Sequence, residues 1–462
     1  MGGYKVLNNK NKFSVTRLLV IPVVLVLGVS VFLLVKRMEG TPPTIELTLE
    51  SPNLGLNQTI PLKVADAKSG LRDVQVVLIK DGQEIALFSK TYPSAGVFSG
   101  GVVREEDLRI EFDASAKGVI DGKAVLRLMV RDFSWRDWMG GNENRQELEV
   151  AIDTRPPGID VLSRANYFAQ GGAGLVAYKV SEECRTSGVT IGETFYPGFK
   201  SPFGSSDIYL AMIAVAYRQG PGTPVYATAV DLAGNQTRVS LPHLINARRF
   251  KQDKIPLSDS FLDWKMPEFA NQVSAGAGAS NVDIFLKVNS DLRKANYETI
   301  KQLTANPDGQ IHWEGDFLRL PAAAPRAGFA DHRSYIYKGK KIDEQTHMGI
   351  DLASLEQASV PAANAGKVVF SDTLGIYGGT ILIDHGLGLF SMYSHLSQMI
   401  ASPGQMVSKG ETIGKTGVSG LAGGDHLHYS MLVHQTLINP VEWWDSTWIR
   451  NNISTKIEAV KR

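Results

Sequence analysis

The chain has 462 residues, and its 48 lysine and arginine residues nearly balance its 47 aspartate and glutamate residues, for a net charge of +1. This balance excludes a general basic field, so nucleic-acid binding is not predicted. The length exceeds that of one compact core and predicts several domains of about 100 to 200 residues each. Cys184 is the only cysteine, which excludes an intramolecular disulfide, and we interpret it as buried and inert.

An uncharged apolar run, Leu18–Val35, has the 18 residues needed to cross a bilayer. A cleaved signal peptide would instead have an apolar core of about 7 to 15 residues and a small-residue cleavage site. Basic residues are more numerous before the run than just after it; those before it are Lys5, Lys10, Lys12 and Arg17. The positive-inside rule therefore predicts a cytoplasmic tail and transmembrane anchor over residues 1–40. The later domains would be extracytoplasmic, on the periplasmic side of a cytoplasmic (inner) membrane.

Two stretches, 41–157 and 158–247, consist of short β-branched runs separated by turn residues, a pattern typical of strands. In the second stretch, Tyr226–Asn235 resembles the penultimate strand and turn of bacterial immunoglobulin-like domains. The pattern predicts two tandem immunoglobulin-like β-sandwiches. They could be spacers, or they could bind the cell wall or protein partners.

A helical connector is predicted over residues 248–319. Its helix would begin after the capping residue Ser290 and stop at Asn306–Gly309. The apolar residues of one helical face are Leu292, Ala295, Ile300 and Leu303. The connector could merely join the domains, or it could pack over the next domain and control access to it.

Five of the nine histidines fall within 82 residues. Of these, His426 and His428 stand two apart, which on a strand places both on one face, about 6.6 Å apart. His347 and Asp351 stand four apart and would lie roughly 13 Å apart on a straight strand, so the chain must bend, as Gly349 permits. His347, Asp351 and one histidine of the pair then form a nitrogen, oxygen, nitrogen set with a fourth position free for water, as in catalytic zinc sites.

A further imidazole, His395, is not needed as a ligand. Together with the remaining histidine of the pair, it could orient an attacking water, accept its proton or stabilise the oxyanion that forms. A structural zinc site would more often use cysteines, and the chain has one.

Residues from about 320 to 444 resemble the lysostaphin-type, LytM-like M23 metallopeptidases. The motifs occur in the family's order: His347–Asp351, then Tyr393–Ser397, then Gly423–His428. The flanking matches are Val360–Ala362, Gly366–Val368, Ile381–Gly386 and Val407–Gly414. The resemblance implies a C-terminal antiparallel β peptidase domain over residues 320–450, followed by a tail over 451–462, in a mainly β chain.

The resemblance also implies one zinc ion (Zn2+) per chain, bound by His347, Asp351 and His428, with His395 and His426 as catalytic residues. The implied reaction is hydrolysis of peptide bonds in the stem or cross-bridge peptides of peptidoglycan by a zinc-activated water. One alternative is a catalytically silent relative that binds the wall or activates another hydrolase. Another is an anchored scaffold whose sandwiches bind partners.

Two positions depart from the family's pattern. The segment leading to Arg333 lacks the usual phenylalanine-glycine start, and Ser430 stands where many members have glutamate. His385 is interpreted as a structural strand-end residue outside the catalytic set. Surface or packing roles are predicted for the other histidines, His243, His312, His332 and His434.

Overall fold

A computed structural model describes residues 15–203, 207–276 and 278–461. It is mainly β and divides into two compact units. One unit holds the residues up to Pro156 together with Leu232–Asn235, and the other holds the rest. The predicted cytoplasmic tail, with Lys5, Lys10 and Lys12, lies outside the described residues. The predicted domain boundaries stay predictions.

The first unit begins with a long helix and continues as strands. Its elements are α1 (Val15–Arg37), β1 (Thr44–Leu47), β2 (Asn53–Leu54), β3 (Asn57–Ala65), β4 (Leu71–Lys80), β5 (Gln83–Thr91), β6 (Glu105–Asp113), β7 (Gly122–Asp132), α2 (Arg136–Met139) and β8 (Glu143–Ile152). Within α1, Val20–Arg37 is long and apolar enough to cross a membrane, and only 6% of it is buried. Its apolar side chains lie on all sides of the helix rather than on one face.

Two sheets of the first unit share one core. The strand orders are β1-β3-β6 and β2-β8-β7-β4-β5. Along β4, Val74, Val76 and Leu78 are buried while the residues between them are partly exposed, which is the period-two pattern of a strand with one buried face. They pack in the same core as Ile60 and Leu62 of β3. The arrangement is a β-sandwich; its immunoglobulin-like character stays a prediction.

The second unit begins with another pair of sheets. Its first strands are β9 (Ile159–Val161), β10 (Tyr167–Ala169), β11 (Ala173–Val180), β12 (Cys184–Ile191), β13 (Thr194–Pro197), β14 (Phe199–Lys200), β15 (Ile208–Ala214), β16 (Val225–Asp231), β17 (Gln236–Ser240) and β18 (Leu244–Asn246). The sheets run β14-β15-β11-β9 and β13-β12-β16-β17, and β10 pairs with β18. Cys184 is half-buried rather than buried as expected, because it lies at the first position of β12; burial still raises the pKa of its thiol to about 11.

The connector is helical, and its main helical run starts earlier than predicted. Its elements are β19 (Gln252–Leu257), α3 (Asp259–Lys265), a 3-10 turn (Met266–Phe269), α4 (Asn281–Lys287), a π-helical turn (Val288–Leu292) and α5 (Arg293–Leu303). Ser280, not Ser290, caps the helical run, since it forms a capping box with Asp283. Ser290 lies inside the run and donates its hydroxyl to the Leu286 carbonyl.

The connector packs on several segments that follow it in the chain. The Ile376 N–H donates to Asn296 Oδ1 over 2.9 Å, and Asn289 Nδ2 donates to Asp343 Oδ2 over 2.6 Å. The buried ammonium of Lys265 donates to the Val418 carbonyl over 2.5 Å. The connector therefore does more than join the domains, because it packs on residues of the part that follows it.

The C-terminal part is built on an eight-stranded sheet. Its elements are β20 (Ala324–Ala327), β21 (His332–Tyr337), β22 (Lys340–Thr346), β23 (Ile350–Ala353), β24 (Ser359–Pro361), β25 (Gly366–Thr373), a 3-10 turn (Gly375–Tyr377), β26 (Gly379–Gly386), β27 (Leu389–Leu396), β28 (Gln398–Met399), β29 (Met406–Val407), β30 (Thr412–Lys415), β31 (Leu427–Val433), β32 (Thr436–Ile438), a 3-10 turn (Pro440–Trp444), α6 (Ser446–Ile449), a π-helical turn (Arg450–Ser454) and α7 (Thr455–Val460). The sheet order is β20-β23-β31-β27-β26-β25-β29, with β32 beside β31. Every residue of β26, β27 and β31 is buried, so the centre of the sheet is covered on both faces.

Candidate metal centre

The sheet order brings two of the predicted ligands together. β23 pairs with β31 in antiparallel register, and Asp351 stands directly opposite His428. Directly opposed residues of an antiparallel pair have Cβ atoms about 4.5 to 5.5 Å apart, close enough for both side chains to reach one ion. His347 precedes β23 by three residues, after the chain has turned from β22.

One carboxylate oxygen is the meeting point of the three side chains. Asp351 Oδ1 lies 2.9 Å from His347 Nε2 and 2.8 Å from His428 Nδ1, and the two nitrogens are 3.0 Å apart. All three residues are buried: His347 is 6% exposed, Asp351 is 9% exposed and His428 is 5% exposed. They form a group able to hold a metal ion.

The donor set fits a divalent ion such as zinc. Ligand atoms of a tetrahedral zinc site are separated by roughly 3.3 Å, a few tenths of an ångström more than the separations observed here. Ligands must also be deprotonated. Burial lowers the pKa of His428 to about 4, and although burial opposes it, the neighbouring histidines hold the pKa of Asp351 well below its ordinary value.

The far nitrogen of each ligand imidazole is held by a hydrogen bond. His347 Nδ1 lies 2.8 Å from the Gly328 carbonyl and therefore donates to it. His428 Nε2 lies 3.0 Å from Ser430 Oγ, which in turn donates to the Met348 carbonyl over 2.9 Å. These contacts leave His347 Nε2 and His428 Nδ1 as the lone-pair nitrogens facing Asp351.

Arg333 and the segment before it support the ligands. Arg333 Nη2 donates to Asp351 Oδ2 over 3.0 Å, on the oxygen that does not face the histidines. The backbone of His347 is held on both sides, because its carbonyl accepts from Ala330 N and its N–H donates to the Asp331 carbonyl. The segment that departs from the family's usual start thus positions His347, and the sequence had no signal for this.

Gly349 is required for space rather than for its backbone angle. A Cβ at this position would lie 2.5 Å from Ser430 Oγ and 2.6 Å from His428 Nε2, and Gly349 is not among the residues with positive φ. The chain does bend here, but the reason for glycine is the close approach of His428 and Ser430.

The two predicted catalytic histidines lie beside the ligand group. His395 Nδ1 lies 2.8 Å from the Ser419 carbonyl and His426 Nδ1 lies 2.8 Å from the Gly424 carbonyl, so in each ring Nε2 is the nitrogen not held by a backbone carbonyl. The two rings are 4.9 Å apart, and His426 Nε2 is 3.6 Å from Asp351 Oδ1. His395 has a φ of 63°, a conformation that is uncommon outside glycine and clusters at functional sites.

All five residues line a cavity of about 330 Å³. Residues of the connector also line this cavity, among them Leu257, Phe261, Phe285 and Arg293. Sequence reasoning missed these lining residues, because nothing in their local pattern distinguishes a cavity wall from an ordinary helix face.

The other histidines lie outside the ligand group. His385 is fully buried between the Ala365 carbonyl and Ser391 Oγ, each 2.7 Å from a ring nitrogen. Burial lowers its pKa to about 4. The remaining contacts are His243 with the Leu241 and Thr223 carbonyls, His312 with Asp308, His332 with Thr346, and His434 with Phe199 and Tyr196.

The three candidate ligand residues lie within a segment that matches one protein family. Residues 345–440 match the model of Peptidase family M23. The DD-carboxypeptidase/endopeptidase Mpg of Neisseria meningitidis is 37% identical over 95 residues, which is 21% of this chain and 22% of that protein. The peptidoglycan DD-endopeptidase ShyA of Vibrio cholerae is 33% identical over 96 residues, 21% of this chain and 22% of that protein.

A third relative is named for a different role. The murein hydrolase activator EnvC of Escherichia coli is 30% identical over 137 residues, 30% of this chain and 29% of that protein. The match thus spans about a quarter of the length of these curated relatives. On the family match and its relatives, the chain carries a peptidase domain of family M23 at residues 345–440.

Proposed function

We propose that this chain is a zinc endopeptidase that hydrolyses peptide bonds in the stem or cross-bridge peptides of peptidoglycan. The observation that carries the proposal is the convergence of His347 Nε2, Asp351 Oδ1 and His428 Nδ1 beside a cavity that also holds two further imidazoles. The names of the relatives Mpg and ShyA support an endopeptidase and, for ShyA, the peptidoglycan substrate.

The ligand residues would hold the ion, and the other histidines would handle protons. Zinc bound there would polarise the scissile carbonyl and lower the pKa of water toward about 7. His395 and His426 keep Nδ1 engaged with a carbonyl, so each can accept a proton from the attacking water at Nε2 or donate one to the carbonyl oxygen. Arg333 holds Asp351 in place through Oδ2, away from the reacting side.

The proposed location is outside the cytoplasmic membrane, where peptidoglycan lies. α1 would be a single-pass anchor, with the residues after it on the periplasmic side. A cleaved signal peptide is the alternative, and N-terminal sequencing of the mature protein from membranes distinguishes the two, since an anchor leaves α1 in place.

The test uses the detergent-solubilised full chain. With zinc present, it should release stem-peptide fragments from purified sacculi, identified by mass spectrometry, and bind one zinc per chain by elemental analysis. His347→Ala should lose both the bound zinc and the digestion. His395→Ala should keep the zinc and lose the digestion, while His312→Ala, an imidazole outside the centre, should keep both.

Unchanged digestion by His347→Ala, with its zinc lost, would overturn the proposed mechanism. A silent activator, the role named for EnvC, is the main rival. If the chain is such an activator, the folded protein by itself would leave sacculi undigested but would increase their digestion by an added hydrolase. The presence of all five predicted residues in one cavity favours the enzyme.

A further inference from the structure

The first unit exposes a group of large apolar side chains on two loops beside the end of α1. We call them the apolar collar: Val97, Phe98, Trp138 and Met139. Phe98 is 64% exposed and Trp138 is 100% exposed. Single exposed apolar residues are ordinary, but a cluster of aromatic and aliphatic side chains marks an interaction surface.

Both loops are tied to the residues that end the helix. The Trp135 N–H donates to the Arg37 carbonyl over 2.8 Å, and Arg37 Nη2 donates to the Phe133 carbonyl over 2.5 Å. Trp135 Nε1 donates to the Val97 carbonyl over 3.0 Å, and its ring meets that of Phe98 at 5.7 Å. The collar therefore stands at the level where α1 ends.

The backbone itself presents the tryptophan. Asp137, Trp138 and Met139 have φ values of 50°, 50° and 69°, a left-handed conformation that side-chain-bearing residues rarely adopt in succession. Arg72 Nη1 pins this turn by donating to the carbonyls of Met139 and Gly140 over 2.8 Å. Residues held in this conformation cluster at functional sites, so the turn marks the collar as a candidate interaction surface.

We infer that the collar inserts into the outer interface of the same bilayer that α1 crosses, so that lipid is its occupant. The inference rests on the proposed anchoring through α1. If α1 spans the membrane, Arg37 lies at the headgroup level, and the collar lies at that level too. Tryptophan and other aromatic residues are favoured in this interface, and the exposed basic residue Lys36 suits lipid phosphates. The first unit is then held against the membrane at two points besides the helix and does not pivot freely on it.

The test places an environment-sensitive fluorophore at the collar of the full chain. In a Cys184→Ser background, Phe98→Cys and Trp138→Cys are labelled in turn, and Ile120→Cys is the matched control. Ile120 is 70% exposed and precedes β7, whose 11 residues end at Asp132 beside the collar. The two ends of an 11-residue strand are roughly 33 Å apart, so Ile120 lies far from Asp132.

Each labelled protein is reconstituted into phosphatidylethanolamine and phosphatidylglycerol vesicles containing a lipid with a nitroxide on its acyl chain. Collar labels should be quenched by the nitroxide lipid, shift their emission to the blue and be protected from aqueous iodide, while the Ile120 label should show none of these. Vesicle flotation checks the anchor separately.

Flotation together with collar labels that behave like the Ile120 label would overturn the inference and leave the anchor standing. Protection from iodide without lipid quenching would show that protein, such as a second copy, covers the collar, and would also overturn it. Loss of flotation would refute both the anchor and the inference.

Discussion

Asp351 and His428 face each other across β23 and β31, and the distance from Asp351 Oδ1 to His428 Nδ1 is 2.8 Å. Strand pairing alone thus joins two candidate ligands that are 77 residues apart in the chain. His347 is added by the turn that leads into β23, so the geometry of the centre depends on what holds that turn and that strand pair. Three predictions concern these supports, and a fourth concerns the buried carboxyl group of Glu442.

Arg333→Ala removes the hydrogen bond to Asp351 Oδ2 and should weaken zinc binding about 10- to 100-fold, the usual cost of losing a partner behind a metal ligand. Competition with a fluorescent chelator measures the affinity. Arg326→Ala, an exposed arginine of the same domain, is the control and should bind zinc as the parent does. Equal affinities for the two variants would show that Arg333 does not support Asp351.

Ser430→Ala leaves His428 Nε2 without its oxygen partner and should weaken zinc binding on the order of 10-fold. The Met348 carbonyl also loses its donor, so a small loss of thermal stability should accompany the change. Ser430→Thr keeps the hydroxyl and should recover affinity if the added methyl is accommodated. A fully stable Ser430→Ala protein with unchanged zinc affinity would contradict the role assigned to this serine.

Gly349→Ala should displace His428 and Ser430, because the new Cβ would lie within 2.6 Å of both. We expect the zinc content to fall and the free energy of unfolding to drop by about 1 to 3 kcal/mol, as for overpacking elsewhere. Gly423→Ala is the matched control, since no atom lies within 4 Å of its Cβ position. Zinc content and thermal unfolding distinguish the two; similar values for both variants would refute the steric argument.

Glu442 predicts a pH dependence of stability remote from the metal centre. Burial raises its pKa to about 7, even though Arg248 favours the charged form, and it accepts a hydrogen bond from Ala173 N. Because this pKa lies above the ordinary value of 4.5, the contribution of Glu442 to the free energy of unfolding is fully present below about pH 4.5. That contribution is lost as the pH rises through about 7.

The loss amounts to roughly 3 kcal/mol, since one pKa unit corresponds to about 1.4 kcal/mol. Between pH 5 and pH 8, the unfolding temperature of the parent should fall more than that of Glu442→Gln, which stays neutral throughout. Glu356→Gln, at an exposed position, should follow the parent. If the unfolding temperatures of the parent and Glu442→Gln change in parallel with pH, Glu442 is not the source of the pH dependence.

Some features needed only local sequence. The apolar, uncharged run predicts α1 because a helix that crosses a bilayer needs about 20 apolar residues in succession. The short β-branched runs of residues 41–157 predict strands, and β4 is one of them. Such patterns repeat within one element, so no knowledge of its partners is needed.

Other features depended on distant neighbours and were missed or misread. The helical run begins at Ser280 because its capping box forms there, while Ser290 faces a carbonyl inside the run. Position 349 needs glycine because His428 approaches it closely. The spacing of His347 and Asp351 along the sequence gives no sign of this contact.

The sequence by itself determined which residue types could make a metal centre and in which family their order belongs. Only the tertiary structure decided that His347, Asp351 and His428 meet, which ring nitrogens face the carboxylate and that the connector walls the cavity. The reason is physical: ligand chemistry resides in individual side chains, whereas their convergence depends on strand register and on hydrogen bonds between segments far apart in the chain.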